Sequence, residues 1–327
     1  MSSSLRETVS MRERWRIGGI MASIGFGRRD RKAIRRRIQK WTLFQVVRAV
    51  VNLAKLIPYE TGVRLGGLGS RVVGTFMRKD RSQALSQLRL ALGTSRSDHE
   101  LKTMVREMYA NLGRGLFEFI NFGKIRHRVE EYVQIEGLEH LDEAMAEGRG
   151  VLWVTGHIGN WEIMANRMAL LGYPINVVAR SMYGDRLNDY MVNWRASNGI
   201  NTIIRNRSSS GREILRAIRG NEILALLIDQ DTSVQSVKVD FFGIKARTPL
   251  AAASLALKKG CVLLPGFIRR IDSCRHRITI LPPHELIETG DLKADIVANT
   301  QALTTVIEKT IRECPAEWVW MHRRWQT

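Results

Sequence analysis

The chain has 327 residues, 44% hydrophobic and 25% charged, enough to bury a sizeable core in one large domain or two ordinary ones, which excludes a disordered chain. Its net charge of +19 suits anionic partners: nucleic acid, anionic lipid or an acidic carrier protein. Three widely spaced cysteines (Cys261, Cys274, Cys314) exclude a disulfide framework and fit a reducing compartment, and no uninterrupted apolar run is long enough for a plain membrane-spanning helix.

Residues 1–40 hold 12 Lys/Arg against 3 Asp/Glu, and 1–38 read as a mobile basic tail. Within it, 17-IGGIMASIGFG-27 has the apolar texture of a signal peptide. It is short and Gly-rich, however, and Arg/Lys follow where a cleavage site needs small residues. Met11 offers a second start position. The segment 41-WTLFQVVRAVVNLAKLIP-58 gathers Gln45, Arg48, Asn52 and Lys55 into one narrow stripe of a helix that is otherwise apolar, ended by Pro58. Such a helix lies in a membrane interface with its cations snorkelling, or is buried on three sides in the protein.

A Gly-rich helix over 59–77 and a short amphipathic piece over 83–93 follow. Ser97 and Glu100 form a capping-box pattern opening a long helix to about residue 122. From 132 onward, strand-like runs (132–136, 151–155, 175–179, 201–204, 223–228, 237–241, 262–268, 276–281) alternate with helix-like ones (138–147, 160–171, 185–198, 208–219, 248–259, 291–313). That alternation predicts an α/β fold: a mixed, largely parallel sheet covered by helices on both faces, with an N-terminal helical, membrane-associating part. The expected division is 1–38 tail, 39–125 helical part and 126–327 α/β core, the last two forming one domain.

The stretch 155-TGHIGNWE-162 falls where a strand becomes a helix. Five residues along a helix turn through about 140°, so His157 and Glu162 cannot share one helical face. Asn160 is a good N-cap, which leaves His157 in the loop and Glu162 in the first helical turn. The loop lies at the carboxyl end of a strand, where open α/β sheets bind ligands, and it can fold His157 back toward Glu162. A histidine oriented by a carboxylate makes a general base, whereas the same pair in a loop also serves ordinary structural roles. No G-x-S-x-G elbow and no second His/carboxylate cluster at ligand spacing accompany it, which argues against a serine hydrolase and against a metal site.

These residues resemble the signature block of the bacterial lipid A biosynthesis (late, lauroyl/myristoyl) acyltransferases, a His-x4-Asp/Glu variant of the glycerolipid acyltransferase motif. Three further blocks agree in order: 228-IDQD-231 followed by 241-FFGIKARTPLAAASLALKKG-260, then 264-LPGFIRR-270, then 315-PAEWVWMHRRW-325. Together they span roughly residues 105–325. The resemblance implies transfer of a fatty acyl chain from acyl carrier protein to a hydroxyl of a lipid A precursor at the cytoplasmic face of the inner membrane. It implies His157 as general base with Glu162 orienting it, no metal and no cofactor. Arg195 and Arg180 are the candidates for oxyanion or phosphate contacts, Arg195 favoured because the family places an Arg beside the pair. Asn160, Asp229 and Gln230, the last two matching the family's Asp-Gln, are further candidates for lining the site, as are His322 and Arg323 from the C-terminal block.

The block 248-TPLAAASLALKKG-260, with Thr248 and Pro249 at a helix start, reads as close helix–sheet packing or as an acyl-chain groove. Trp318 and Trp320 alternate like inward-facing strand residues. The expected partners are acyl carrier protein, an anionic glycolipid and a membrane surface, not nucleic acid; the sequence leaves oligomeric state open. The rival readings are an acyltransferase acting on a phosphatidylinositol mannoside or ornithine-type lipid, a basic nucleic-acid-binding protein, and a catalytically dead membrane scaffold.

Overall fold

A computed structural model of the chain describes residues 28–93, 95–181, 185–205, 207–231 and 233–325. The chain divides into two units, residues 1–52 and 53–327. In the first, the described part is one helix, α1 (Arg28–Ala54), which runs on into the second. Residues 28–38, the last part of the expected basic tail, are helical; straight-chain Arg, Lys and Gln lose little freedom in a helix. The helix stops at Ala54, ahead of Pro58, whose ring disfavours helical geometry in the residue before it. The apolar stretch 17–27, Met11 and the rest of the tail lie outside the described residues. No described helix is long and apolar enough to cross a membrane.

The second unit opens with α2 (Tyr59–Phe76), α3 (Arg78–Leu92) and α4 (Asp98–Asn121). The capping box at the start of α4 is complete: Glu100 N–H donates to Ser97 Oγ at 3.3 Å, and Ser97 N–H donates to Glu100 Oε2 at 2.8 Å. Gly62, Gly66, Ser70 and Gly74 fall every fourth residue, forming one small-residue stripe along α2. That stripe brings α2 against α4 almost backbone to backbone. A Cβ on Gly113 would fall 2.2 Å from the Gly66 carbonyl oxygen, while the rings of Phe117 and Tyr109 fill the space over Gly62 and Gly74. The opposite side of α2 exposes Leu65, Leu68, Val72 and Phe76.

These helices precede a seven-stranded sheet of order β1-β9-β8-β2-β5-β3-β4. Its strands are β1 (Val133–Glu136), β2 (Val151–Thr155), β3 (Ile175–Ala179), β4 (Ile200–Ile204), β5 (Ile223–Leu227), β8 (Val262–Arg270) and β9 (His276–Ile280). Neighbours pair in parallel except β8 and β9, so the sheet is mixed and mostly parallel, as the alternating pattern predicts. The helices between strands are α5 (Leu138–Ala146), α6 (Trp161–Leu170), α7 (Asp185–Ser197), α8 (Ser210–Arg219) and α9 (Ala251–Lys259), and α10 (Leu292–Glu313) follows the last strand.

Alternate residues of β2 feed two apolar clusters. Val151 and Trp153 pack with α5 and α6 on one face, and Leu152 and Val154 pack with α9 and α10 on the other. All five residues of β2 are buried, as a central parallel strand requires.

One expectation needs correction. Thr248 and Pro249 do not start a helix; they end β7 (Ile244–Pro249), which pairs antiparallel with β6 (Ser236–Phe241) in a separate two-stranded sheet. The turn Phe242–Gly243 has both residues at positive φ (56° and 74°), the geometry of a tight hairpin connection.

Candidate active site

The loop from β2 to α6 is held by its own glycine and by the C-terminal segment. Gly159 has φ +60°, and a Cβ there would meet the Ile268 carbonyl oxygen at 2.3 Å, so both conformation and space require glycine. Its N–H donates to the Glu317 carbonyl at 3.1 Å, and Ile158 forms a β-bridge with Trp318. Asn160 caps α6, its Oδ1 accepting from Ile163 N–H at 3.3 Å. His157 is thus left in the loop and Glu162 in the first helical turn, as the spacing predicts.

The partner of His157 differs from the expectation. Its Nδ1 lies 2.8 Å from Oδ1 of Asp229, not against Glu162. The physical reason is strand register. β2 and β5 pair in parallel from Val151↔Ile223 to Thr155↔Leu227, and His157 and Asp229 both lie two residues beyond the last pair. Adjacent strands run about 4.8 Å apart, so equivalent positions past their ends stay within side-chain reach.

The Asp229 carboxylate also accepts the His157 backbone N–H at 2.8 Å and the Trp318 indole N–H at 2.6 Å. Burial works against its charge. The His157 side chain and the three hydrogen bonds outweigh burial and hold the carboxyl below its ordinary range. An ionised carboxylate only accepts, so His157 presents N–H at Nδ1 and leaves Nε2 as the basic nitrogen.

Glu162 is engaged elsewhere. Arg195, in the last turn of α7, grips it with two guanidinium nitrogens, Nε to Oε2 at 3.1 Å and Nη2 to Oε1. Both line the same cavity as His157, a space of about 530 Å³. Arg180, Arg205, Gln230 and His322 also border it. Arg205, which the sequence reading did not single out, has a buried Nε with no hydrogen-bond partner among the described residues. His322 bonds the Asp231 carbonyl through Nε2 at 3.0 Å, and burial lowers its basicity despite that contact and the nearby Asp229 charge. Arg323 is not brought to the site; it is exposed and bonds Gln83 at 3.2 Å. Its neighbour Arg324 is the buried one, donating to Thr248 Oγ1 at 2.5 Å and to the Arg247 carbonyl, and burial pulls its pKa down to about 10.

Below the mouth, the cavity runs under α6 between Trp153, Met164, Met168 and Ala225, as far as Ile175 and Ile223, the first residues of β3 and β5. One end is polar and cationic, and the other is a hydrocarbon interior.

Behind the loop lies a buried polar network that sequence reasoning missed. Glu118 of α4 is fully buried and pairs with Arg270 at 2.5 and 2.8 Å, with His276 Nε2 at 3.1 Å and with Asn160 Nδ2 at 3.0 Å. Burial disfavours its charge, but His276 and Arg270 reverse the balance and hold it well below the usual carboxylate range. Asn160 therefore serves the loop from inside, capping α6 while anchored to α4. Glu317 accepts the Arg270 backbone N–H at 2.8 Å, yet burial dominates and pushes its pKa up to about 7.

A basic nitrogen and guanidinium groups at the entrance to a long apolar interior suit an activated acyl chain, whose reactive carbonyl is polar and whose tail is not. That combination defines the class as acyltransferase. The chain belongs to the bacterial lipid A biosynthesis acyltransferase family, whose model matches residues 29–327. It is 26% identical to the lipid A biosynthesis lauroyltransferase of Escherichia coli K12 over 292 residues, 88% of this chain and 91% of that one. It is similarly 26% identical to the palmitoleoyltransferase of the same organism over 279 residues, 83% and 87% of the two chains. A phosphatidylinositol mannoside acyltransferase of Mycobacterium tuberculosis H37Rv is 27% identical over 223 residues, 67% of this chain and 68% of that relative.

The Glu317 carboxyl gives a pH prediction. Folding raises its pKa from an ordinary 4.5 to about 7, so the native state holds the extra proton between those values. The contribution of this group to stability therefore falls as pH rises through that window. Glu317→Gln is expected to flatten the decline between pH 5 and 8 and to gain on the order of 2 kcal/mol at pH 8. Urea unfolding at the two pH values checks it; an unchanged pH dependence in the variant would contradict it.

Proposed function

We propose that the protein moves a fatty acyl chain from an acyl carrier protein thioester to a hydroxyl of a lipid A precursor, at the cytoplasmic face of the inner membrane. The observation that carries the chemistry is the in-register His157–Asp229 pair at the mouth of an apolar cavity. His157 Nε2 takes the proton of the acceptor hydroxyl as its oxygen attacks the thioester carbonyl. The C–S bond then breaks and the thiolate leaves, receiving that proton from His157. Asp229 fixes the ring and supports the imidazolium while it exists. Glu162 has a different part: it holds the Arg195 guanidinium at the cavity wall, where it faces the developing oxyanion or a phosphate. Arg180 and Arg205 extend that cationic rim, and Gln230 lines it.

The acyl chain itself occupies the interior beneath α6. From Thr155 and Leu227 to Ile175 and Ile223 the lining follows strands of five residues, roughly 13 Å at the usual rise per residue. A lipid A precursor is the favoured acceptor because the similarity to the lipid A transferases runs over more of the chain than that to the mannoside transferase. The strong positive charge suits acidic acyl carrier protein and anionic lipid. Exposed Leu65, Leu68, Val72 and Phe76 of α2, flanked by exposed Arg64, Arg78 and Lys79, supply an apolar stripe with a cationic border, a surface that suits a membrane interface.

His157→Ala and Asp229→Asn are expected to lower acyl transfer at least about 100-fold with the fold retained. Turnover like the native enzyme's in His157→Ala would remove the mechanism. Mass spectrometry of lipid A from cells with and without the gene tests the acceptor, since an unaltered acyl pattern would exclude it. For the membrane surface, Leu68→Glu with Val72→Glu should abolish co-sedimentation with anionic vesicles. Sedimentation equal to the unmodified protein's would contradict that assignment.

A further inference from the structure

A second apolar chamber of about 290 Å³ lies on the other side of Trp161 and Glu162, and these two residues line both spaces. One wall is α4, which contributes an apolar row beside Asn111 and Gly115. Met108, Leu112, Leu116 and Phe119 are spaced 4, 4, 3, one helical stripe beside the Tyr109–Gly113–Phe117 row that packs against α2. Met191 of α7 and Val319 of the C-terminal segment close the space. Leu116 both lines the chamber and is 61% exposed, so it marks a mouth open to the surface. No Lys or Arg is among the described lining residues, whereas Arg180, Arg195 and Arg205 border the first cavity.

We propose that this chamber takes a hydrocarbon chain of the acceptor lipid; the inference rests on the acyl-transfer reading above. Two features select that occupant. His157 borders the first cavity and not the chamber, so a donor chain whose carbonyl is presented to His157 extends into the first. Among the described residues the chamber shares only Trp161 and Glu162 with the first cavity, so its occupant is a molecule with an apolar tail on one side of them and its reacting head on the other. An acceptor that already carries an alkyl chain has that form. An anionic headgroup does not fit a lining that holds Glu162 and Glu317 and, among the described residues, no Lys or Arg. The chamber then discriminates chain-bearing acceptors from free sugars, while the cationic rim of the first cavity holds the head.

The test uses the full chain and an octyl β-D-glucoside with a photoreactive diazirine at the end of its chain. S-dodecyl pantetheine, a thioether that cannot transfer its chain, fills the first cavity. The expected result is labelling of residues 98–121 and Met191 that the thioether does not compete away. Leu112→Trp should cut that labelling at least tenfold. Leu116→Trp, at an exposed position, should do the same and carries the test if the first variant does not fold. Labelling along α6 that the thioether removes would place the probe in the donor cavity and overturn the proposal. So would labelling that neither substitution changes. The readout is binding, so it is separate from the acyl-transfer reading, whose own failure appears as no transfer from any acyl thioester by the unmodified protein.

Discussion

The buried carboxylate of Asp229 is the point on which the site depends. It stands past the end of one strand, grips both the backbone and the ring of His157 past the end of the next, and is held from the far side by the Trp318 indole. A charge so placed is costly without donors, and here three meet it. The arrangement fixes three things together: the position of the β2–α6 loop, the tautomer of His157 and the attachment of the C-terminal segment. The same two oxygens serve all of them, so a change at Asp229 acts on the three at once.

The loop has a second set of supports that makes its shape a property of the whole unit. Asn160 is capped onto α6 and tied to Glu118 of α4, which is in turn neutralised by Arg270 of β8 and His276 of β9. Breaking such a buried pair from one side leaves a stranded charge and costs about 3–5 kcal/mol, far more than an exposed pair. The helical region before the sheet is therefore part of the candidate site's architecture, since α4 carries the carboxylate that anchors the loop. The Gly62–Gly66–Ser70–Gly74 stripe matters for the same reason, because it lets α2 seat closely on α4.

Much of this was legible in the residues. Alternating strand and helix runs gave the mixed, covered sheet, and Asn160 announced the start of α6. The block 155–162 located the loop at the ligand-binding edge. What the order of residues does not carry is which strands become neighbours. The insertion of β5 beside β2 makes Asp229 the partner of His157 and frees Glu162 to pair with Arg195. Glu118 and Arg270 are 152 residues apart, and no local pattern links them. β7 escaped notice because Lys245, Arg247 and Pro249 interrupt its apolar texture, which a two-stranded hairpin tolerates. Arg323 and Arg324 differ by one position, and only the path of the chain decides that Arg324 turns inward.

The first apolar cavity and the chamber behind Trp161 give the site two directions along which hydrocarbon can leave it, with the polar chemistry between them. The proposed reaction depends on His157 facing the cavity as a base, hence on the proton being held at Nδ1. The most direct measurement is imidazole ¹⁵N NMR of the selectively labelled protein. Neutral His157 is expected to carry its proton at Nδ1, and Asp229→Asn to loosen this preference. A neutral ring protonated at Nε2, or a ring indifferent to Asp229→Asn, would contradict it.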